Sequence, residues 1–217
     1  MNISEPCFGM FTDINNTLYC SISYLHQFVT KSLQSTSNLT TIVAGIGCQG
    51  SNLTMLSYPM GIYVDINLDL YVADCGNIRI QLFQSTQFNA ITIAGNGATS
   101  TMVLNCPYDI VLDADSYLFI VDSNVNRIVR SGARGFFCIV GCLGTNGLAA
   151  NELNKPTSMA FDSYGNTFVT DTENNRTHKF LLDINLCGKY SIEKSYTYLI
   201  KKSLQSYRYS YDGTVNF

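Results

Sequence analysis

Apolar residues in this chain fall into short runs separated by Asn, Asp and Gly. Ile62, Tyr63 and Val64 precede a polar stretch over 65–69, and Leu70, Tyr71 and Val72 follow it. A second polar stretch over 74–77 leads into Ile78 to Phe83, and a fourth run spans Ile91 to Gly95. Runs of about four to six β-branched and aromatic residues between turn formers predict strands rather than helices. Asn and Asp suit the turns because their side chains bond nearby backbone and tolerate left-handed conformations. A Pro at the first residue of a strand forfeits no ladder hydrogen bond.

The same pattern then repeats. Pro59, Asp65, Asp74 and Arg79 recur as Pro107, Asp113, Asp122 and Arg127, and again as Pro156, Asp162, Asp171 and Arg176. The spacing within each copy is identical, and the copies begin 48 and 49 residues apart. A worn copy lies upstream. Pro6, Gly9, Asp13, Leu18 and Tyr19 keep the pattern, but Ile22 and Gln27 replace the second Asp and the Arg. All 4 prolines therefore open a repeat. A fixed period in this range marks a repeat architecture, and four antiparallel strands per period match one β-propeller blade. Gly45, Gly95 and Gly141 are expected to end each outer strand and begin the crossing to the next blade. The turn position of Gly165 is Leu68 in the second blade. Local strain is expected at Leu68 if that turn requires positive φ.

The motifs Pro-x-Gly-Ile-x-Val-Asp over 59–65, Leu-Tyr-Val-Ala-Asp over 70–74 and Asn77-x-Arg79-Ile80 resemble the NHL repeat. The resemblance spans residues 6–182 and departs at Val125, where the repeat carries Asn. It implies an all-β propeller of about four NHL-type, four-stranded blades over 1–187, with blades near 6–58, 59–106, 107–155 and 156–187. NHL propellers usually close with about six blades, so either an open arc or partial propeller or a fragment of a longer secreted protein is expected, ahead of a closed four-bladed ring. Residues 188–217 form a divergent Tyr-rich tail. Tyr207, Tyr209 and Tyr211 alternate as in a strand, and Lys202 to Ser206 copies Lys31 to Ser35. Such a strand would complete the fourth blade or cover an exposed blade face. Unpaired apolar end blades also offer a route to assembly.

Charge narrows the partners. Only 13% of the 217 residues are charged and the net charge is −3, which gives no general attraction to phosphate backbones. Nucleic acid is not an expected partner, and no apolar run is long enough to span a membrane. Met1 to Pro6 has neither the basic start nor the apolar stretch of a secretory leader.

The 8 cysteines lack paired C-x-x-C spacing, which disfavours zinc. Two readings stay open: disulfides in an oxidising compartment, which is favoured, or buried thiols in a cytoplasmic protein. Cys48 with Cys75 is a candidate pair. Cys138 and Cys142, about 13 Å apart if extended, are not expected to bridge each other. Sequons at Asn2, Asn15, Asn38, Asn52 and Asn175 point weakly toward the extracellular reading.

The recurring Asp74, Asp122 and Asp171 with Arg79, Arg127 and Arg176 read as blade construction, because function in such folds lives where blades differ. With only His26 and His178, a three-His zinc site cannot be assembled, unlike that of the amidating lyase whose blades this chain resembles. Asp109, Asp115 and Asp162 could offer oxygen to calcium but form no ligand series at loop spacing. No cofactor and no catalysis are expected. The expected function is a binding or scaffold module for a protein or glycan. The alternatives are an intracellular adaptor of the type attached to ubiquitin ligases, binding protein or RNA, and a metal-dependent propeller hydrolase or lyase.

Overall fold

A computed structural model describes residues 6–37, 39–85, 87–99, 102–184 and 190–199, with side chains up to residue 181. Blade 1 comprises β1 (Met10–Thr12), β2 (Thr17–Ile22), β3 (Gln27–Ser32) and β4 (Thr41–Ala44). Blade 2 comprises β5 (Pro59–Val64), β6 (Leu70–Asp74), β7 (Arg79–Phe83) and β8 (Ile91–Gly95). Blade 3 comprises β9 (Pro107–Leu112), β10 (Leu118–Asp122), β11 (Arg127–Gly132) and β12 (Gly135–Val140). Blade 4 comprises β13 (Pro156–Phe161), β14 (Thr167–Asp171), β15 (Arg176–Ile184) and β16 (Tyr190–Leu199). Each is a four-stranded antiparallel meander, and together they form a β-propeller.

The tail contributes directly. β16 pairs with β15 from Ile184↔Tyr190 to Arg176↔Leu199 and is the outer strand of blade 4. The alternating tyrosines at 207–211 and the copied string at 202–206 lie outside the described residues.

Two turns recur in each blade, each with a local cause. In the first, an Asp side chain closes the hairpin. Asp65 Oδ1 accepts the N–H groups of Asn67 and Asp69, both at 2.9 Å. Asp13, Asp113 and Asp162 do the same. The following left-handed position is held by Asn16, Leu68, Ser116 and Gly165, with φ between 57° and 79°. Leu68, at φ 65°, is the residue least suited to that conformation, as expected from the sequence. Its side chain packs against the buried cluster between blades 1 and 2, which offsets the backbone cost.

The second turn is one short 3-10 turn ending in a left-handed residue: His26, Ile78, Asn126 or Asn175. The glycines expected after the outer strands sit against it. A Cβ on Gly45, Gly95 or Gly141 would meet a carbonyl oxygen of that turn at 2.0–2.2 Å, so no other residue fits.

Side chains alternate across each sheet, giving every blade a rear face toward the preceding blade and a forward face toward the next. Phe28 and Ala44 on the front of blade 1 pack on Ile62, Leu70 and Val72 at the rear of blade 2. Ala73, Ile80 and Ala94 meet Ile110, Leu118 and Ile120 in the same way. Phe119, Val121 and Ile128 meet Met159, Val169 and Phe180. Strand packing thus runs from blade 1 to 2, 2 to 3 and 3 to 4. Among the described residues no strand of blade 4 packs comparably on blade 1.

Among the described residues three disulfides are present, and they correct two expectations. Cys75 pairs with Cys106, not with Cys48, which is exposed and bonded to no described cysteine. The second turn of blade 2 packs on the residue that precedes Pro107, which puts the Cα atoms of Cys75 and Cys106 4.1 Å apart. Cys48 lies elsewhere on the preceding crossing loop. Cys138 and Cys142 also bridge each other, with Cα atoms 5.5 Å apart. The extended-chain distance does not apply, because β12 ends at Val140 and the chain reverses through Gly141 at φ 70°. The third bridge joins Cys7 to Cys20.

Candidate functional site

The repeated charges form a fastening in blades 2, 3 and 4. Asp74 is fully buried at the end of β6. Its Oδ1 accepts the Ser57 N–H at 2.7 Å, and its Oδ2 accepts from Asn77 Nδ2 and Arg79 Nε, both at 2.8 Å. The Arg79 guanidinium then donates to the carbonyls of Ser51, Asn52 and Met55. The pair therefore grips the loop that arrives from blade 1.

Blade 4 repeats the arrangement. Asp171 holds Asn154 N–H, Asn174 Nδ2 and Arg176 Nε, while Arg176 donates to Leu148, Ala149 and Glu152 carbonyls. In blade 3, Asp122 holds Asn105 N–H and Arg127, which donates to the Val103 carbonyl. Val125 stands where the others have Asn, so the amide donor is lost there. Burial pushes the carboxyls of Asp74 and Asp122 above the usual carboxylate range, against the pull of their hydrogen bonds and of the arginines. Each residue of this set that the sequence singled out is consumed by its own blade.

The crossings are pinned where each next blade begins. The Tyr58 N–H donates to His26 Nδ1 at 3.1 Å, and the Lys155 N–H donates to Asn126 Oδ1 at 2.8 Å. In blade 2 the same left-handed position is Ile78, which has no acceptor. There the Cys75–Cys106 disulfide makes the connection instead. Tyr58, Cys106 and Lys155 all precede a proline and all have positive φ.

The other histidine is structural as well. His178 is 1% exposed and stacks on Phe180 with centroids 4.2 Å apart. Burial first, then the charge of Arg176, lowers its pKa to about 4. Its Nδ1 finds no partner among the described residues.

The blades differ at the channel. The inner strands β1, β5, β9 and β13 line a cavity of about 530 Å³. Strand register aligns Gly9, Gly61, Asp109 and Ser158 at one level, beside Phe8, Met60, Tyr108 and Thr157. Asp109 Oδ2 accepts the Ser158 hydroxyl at 2.8 Å and the Met159 N–H at 3.0 Å. Its Oδ1 accepts the Ile110 N–H at 2.9 Å. Burial raises its pKa, and these hydrogen bonds oppose the rise. Gly61 is required beside it, because a Cβ there would lie 2.6 Å from Asp109 Oδ1 and 2.7 Å from the Tyr108 carbonyl oxygen.

Sequence reasoning weighed Asp109 only as an ion ligand. The usable signal was a departure: one charged residue at a position that is Gly, Gly and Ser elsewhere. Among the described residues, no group of three or more His, Cys, Asp and Glu side chains is placed to hold a metal ion. A larger apolar groove of about 630 Å³ opens at the rim of blades 1 and 2. Its lining includes Tyr19, Leu70 and Phe83, which belong to the inter-blade core. The channel, with converging polar groups, fits a specific ligand better.

The sequons are spread widely. Asn15 lies in the first turn of blade 1, Asn52 on the first crossing and Asn175 at the second turn of blade 4, all exposed. Asn2 and Asn38 lie outside the described residues. No helix among the described residues is long and apolar enough to cross a membrane.

No protein-family model matches this chain, and no curated protein matches it. Solved structures do. A streptogramin B lyase is 14% identical with a TM-score of 0.61, over 93% of this chain and 58% of that one. A catalytically inactive virginiamycin B lyase from Staphylococcus aureus with quinupristin is 12% identical with a TM-score of 0.60, over 94% and 58%. A nidogen/laminin complex is 17% identical with a TM-score of 0.60, over 87% and 61%. The chain spans about three fifths of these relatives' length. At such identities the likeness establishes the β-propeller fold alone.

Proposed function

We propose that the chain is an NHL-type propeller module of an extracellular protein that binds a protein or glycan at its channel and performs no catalysis itself. The observation that carries this reading is the contrast between two sets of residues. The repeated Asp–Arg pairs spend their hydrogen bonds on their own loops, whereas the channel positions differ from blade to blade. Phe8 and Tyr108 offer aromatic surface, and Asp109 and Thr157 offer polar groups of the kind that orient a peptide or sugar. Both histidines are engaged in packing and loop fastening. Three disulfides suit an oxidising compartment. Solved propellers of this shape include lyases and a nidogen/laminin complex.

The test is a screen of the disulfide-bonded chain against arrayed glycans and extracellular protein domains. A hit should weaken at least about tenfold in Tyr108→Ala and in Asp109→Asn. It should persist in Ile66→Ala, which alters an exposed turn away from the channel lining. Binding indifferent to both channel substitutions, or metal-dependent turnover of a lactone by the wild-type chain, would overturn the reading.

A further inference from the structure

Among the described residues that line the channel, Asp109 alone is charged. Blades 1 and 2 carry Gly9 and Gly61 at the same level, and each glycine lies directly against the inner strand of the next blade. A Cβ on Gly9 would meet the Met60 carbonyl oxygen at 2.6 Å, and one on Gly61 would meet the Asp109 Cα at 2.7 Å. Two blade junctions are therefore made at this level without a polar side chain. The fold does not demand a carboxylate at the third.

The charge of Asp109 is also unanswered. The buried aspartates Asp74, Asp122 and Asp171 each face an arginine at 2.6–2.9 Å. Among the described residues no cation stands within ion-pairing distance of Asp109. Its partners are the Ser158 hydroxyl and the N–H groups of Ile110 and Met159. These donors suit the ionised form, but none of them carries a positive charge. A carboxylate offers about four acceptor positions. Three are used, and the open one is on Oδ1, which takes only the Ile110 N–H. Burial raises this carboxyl above the usual range. A cation arriving in the channel would offset a desolvation cost that the chain itself leaves uncompensated.

The walls suit an organic cation rather than a metal ion. Phe8 and Tyr108 bring aromatic rings and Met60 a thioether. Aromatic rings attract ammonium groups, and apolar walls shelter an alkyl stem. Calcium or magnesium would require several oxygen ligands, and no second carboxylate lines the channel. We propose that the channel receives the ammonium group of a lysine side chain presented by a protein partner, with its Nζ donating to Asp109 Oδ1. This rests on the channel being the binding site and names what enters it. One open acceptor position matches a compact point charge. The arginine fork pairs best with both oxygens, and Oδ2 already accepts twice. A neutral sugar would cover the carboxylate without answering its charge. A cavity of about 530 Å³ has room for the side chain.

Methyl NMR of the disulfide-bonded chain tests this, with isotope-labelled methionine reporting through Met60 and Met159 in the channel lining. The probes are the peptide acetyl-Ala-Lys-Ala-amide, its norleucine and arginine counterparts, and N-acetylglucosamine, each up to about 20 mM. The lysine peptide should shift both methyl signals and bind at least about tenfold more tightly than the norleucine peptide. It should also bind more tightly than the arginine peptide. In Asp109→Asn the lysine advantage should vanish while the weak binding of the norleucine peptide persists. The lysine-to-norleucine ratio is read on the wild-type chain, so it decides the matter even if that substitution disturbs β13. Equal binding of the two peptides, a preference for arginine, an advantage that survives Asp109→Asn, or no shift of either methyl would each overturn the lysine assignment. Saccharide binding that shifts the same methyls and is lost in Tyr108→Ala would overturn it too, while leaving the channel reading intact. Screen hits indifferent to Tyr108→Ala would remove both.

Discussion

Blade 1 and blade 4 are built from the same four antiparallel strands with the same two turns, yet only blade 4 has the buried Asp–Arg pair. Asp171 and Arg176 join β14 and β15 to the incoming loop; Ile22 and Gln27 occupy those positions in blade 1 and pair across the same strands without it. The blade therefore does not need the ion pair to form its sheet. What the pair adds is a hold on the connection: Arg176 takes three loop carbonyls, and Asp171 takes one loop N–H. The repeated Asp and Arg positions mark how blades are joined, while the apolar alternation determines that they form.

The largest test of this contrast is Arg176→Ala. It leaves Asp171 buried without its cation and three loop carbonyls without donors, and should cost about 3–5 kcal/mol in chemical denaturation. Gln27→Ala at the matching place in blade 1 should cost under about 1 kcal/mol. Equal losses would mean that the pair stabilises the sheet rather than the crossing.

Removing the bridge by Cys75→Ser with Cys106→Ser should cost about 3–4 kcal/mol, from the entropy of the loop it closes. The loss should appear as a lower denaturation midpoint and as faster proteolysis of the 96–106 crossing.

Acid should weaken blade 4 through His178. Its folded pKa is about 4 against an ordinary 6.5, so the fold holds it neutral. That contribution is complete above pH 6.5 and is lost as pH falls through 4, because the unfolded chain takes the proton first. The loss is on the order of 3 kcal/mol. In His178→Leu the stability curve between pH 6.5 and 4 should be flatter than in the wild type, and an unchanged slope would refute the assignment.

The smallest effect concerns Ile78. In the background lacking the Cys75–Cys106 bridge, Ile78→Asn should recover about 1 kcal/mol. Asn tolerates the left-handed backbone and can accept the N–H of residue 106, as Asn126 accepts that of Lys155. No recovery would show that the disulfide does more than replace that hydrogen bond.

The fold was legible in the chain because its signals are local. Pro59, Asp65, Asp74 and Arg79 recur at fixed spacing, and each acts within one hairpin or on an adjacent loop. Even the strained Leu68 could be anticipated by comparing repeats. The cysteine pairing was not legible in the same way. Cys75 meets Cys106 only because one blade seats on the next, and Cys138 meets Cys142 only because Gly141 reverses the chain. Asp109 was visible as an odd residue, but its bonds to Ser158 and Met159 come from the neighbouring blade.

Strands, turns, blade number and the roles of the repeated Asp and Arg were thus determined by the sequence itself, through alternation and spacing that need no distant contact. The disulfide partners and the setting of Asp109 in the channel were decided by tertiary structure. They depend on which blade surfaces are brought together, and packing between residues about 50 positions apart is not written in any local pattern.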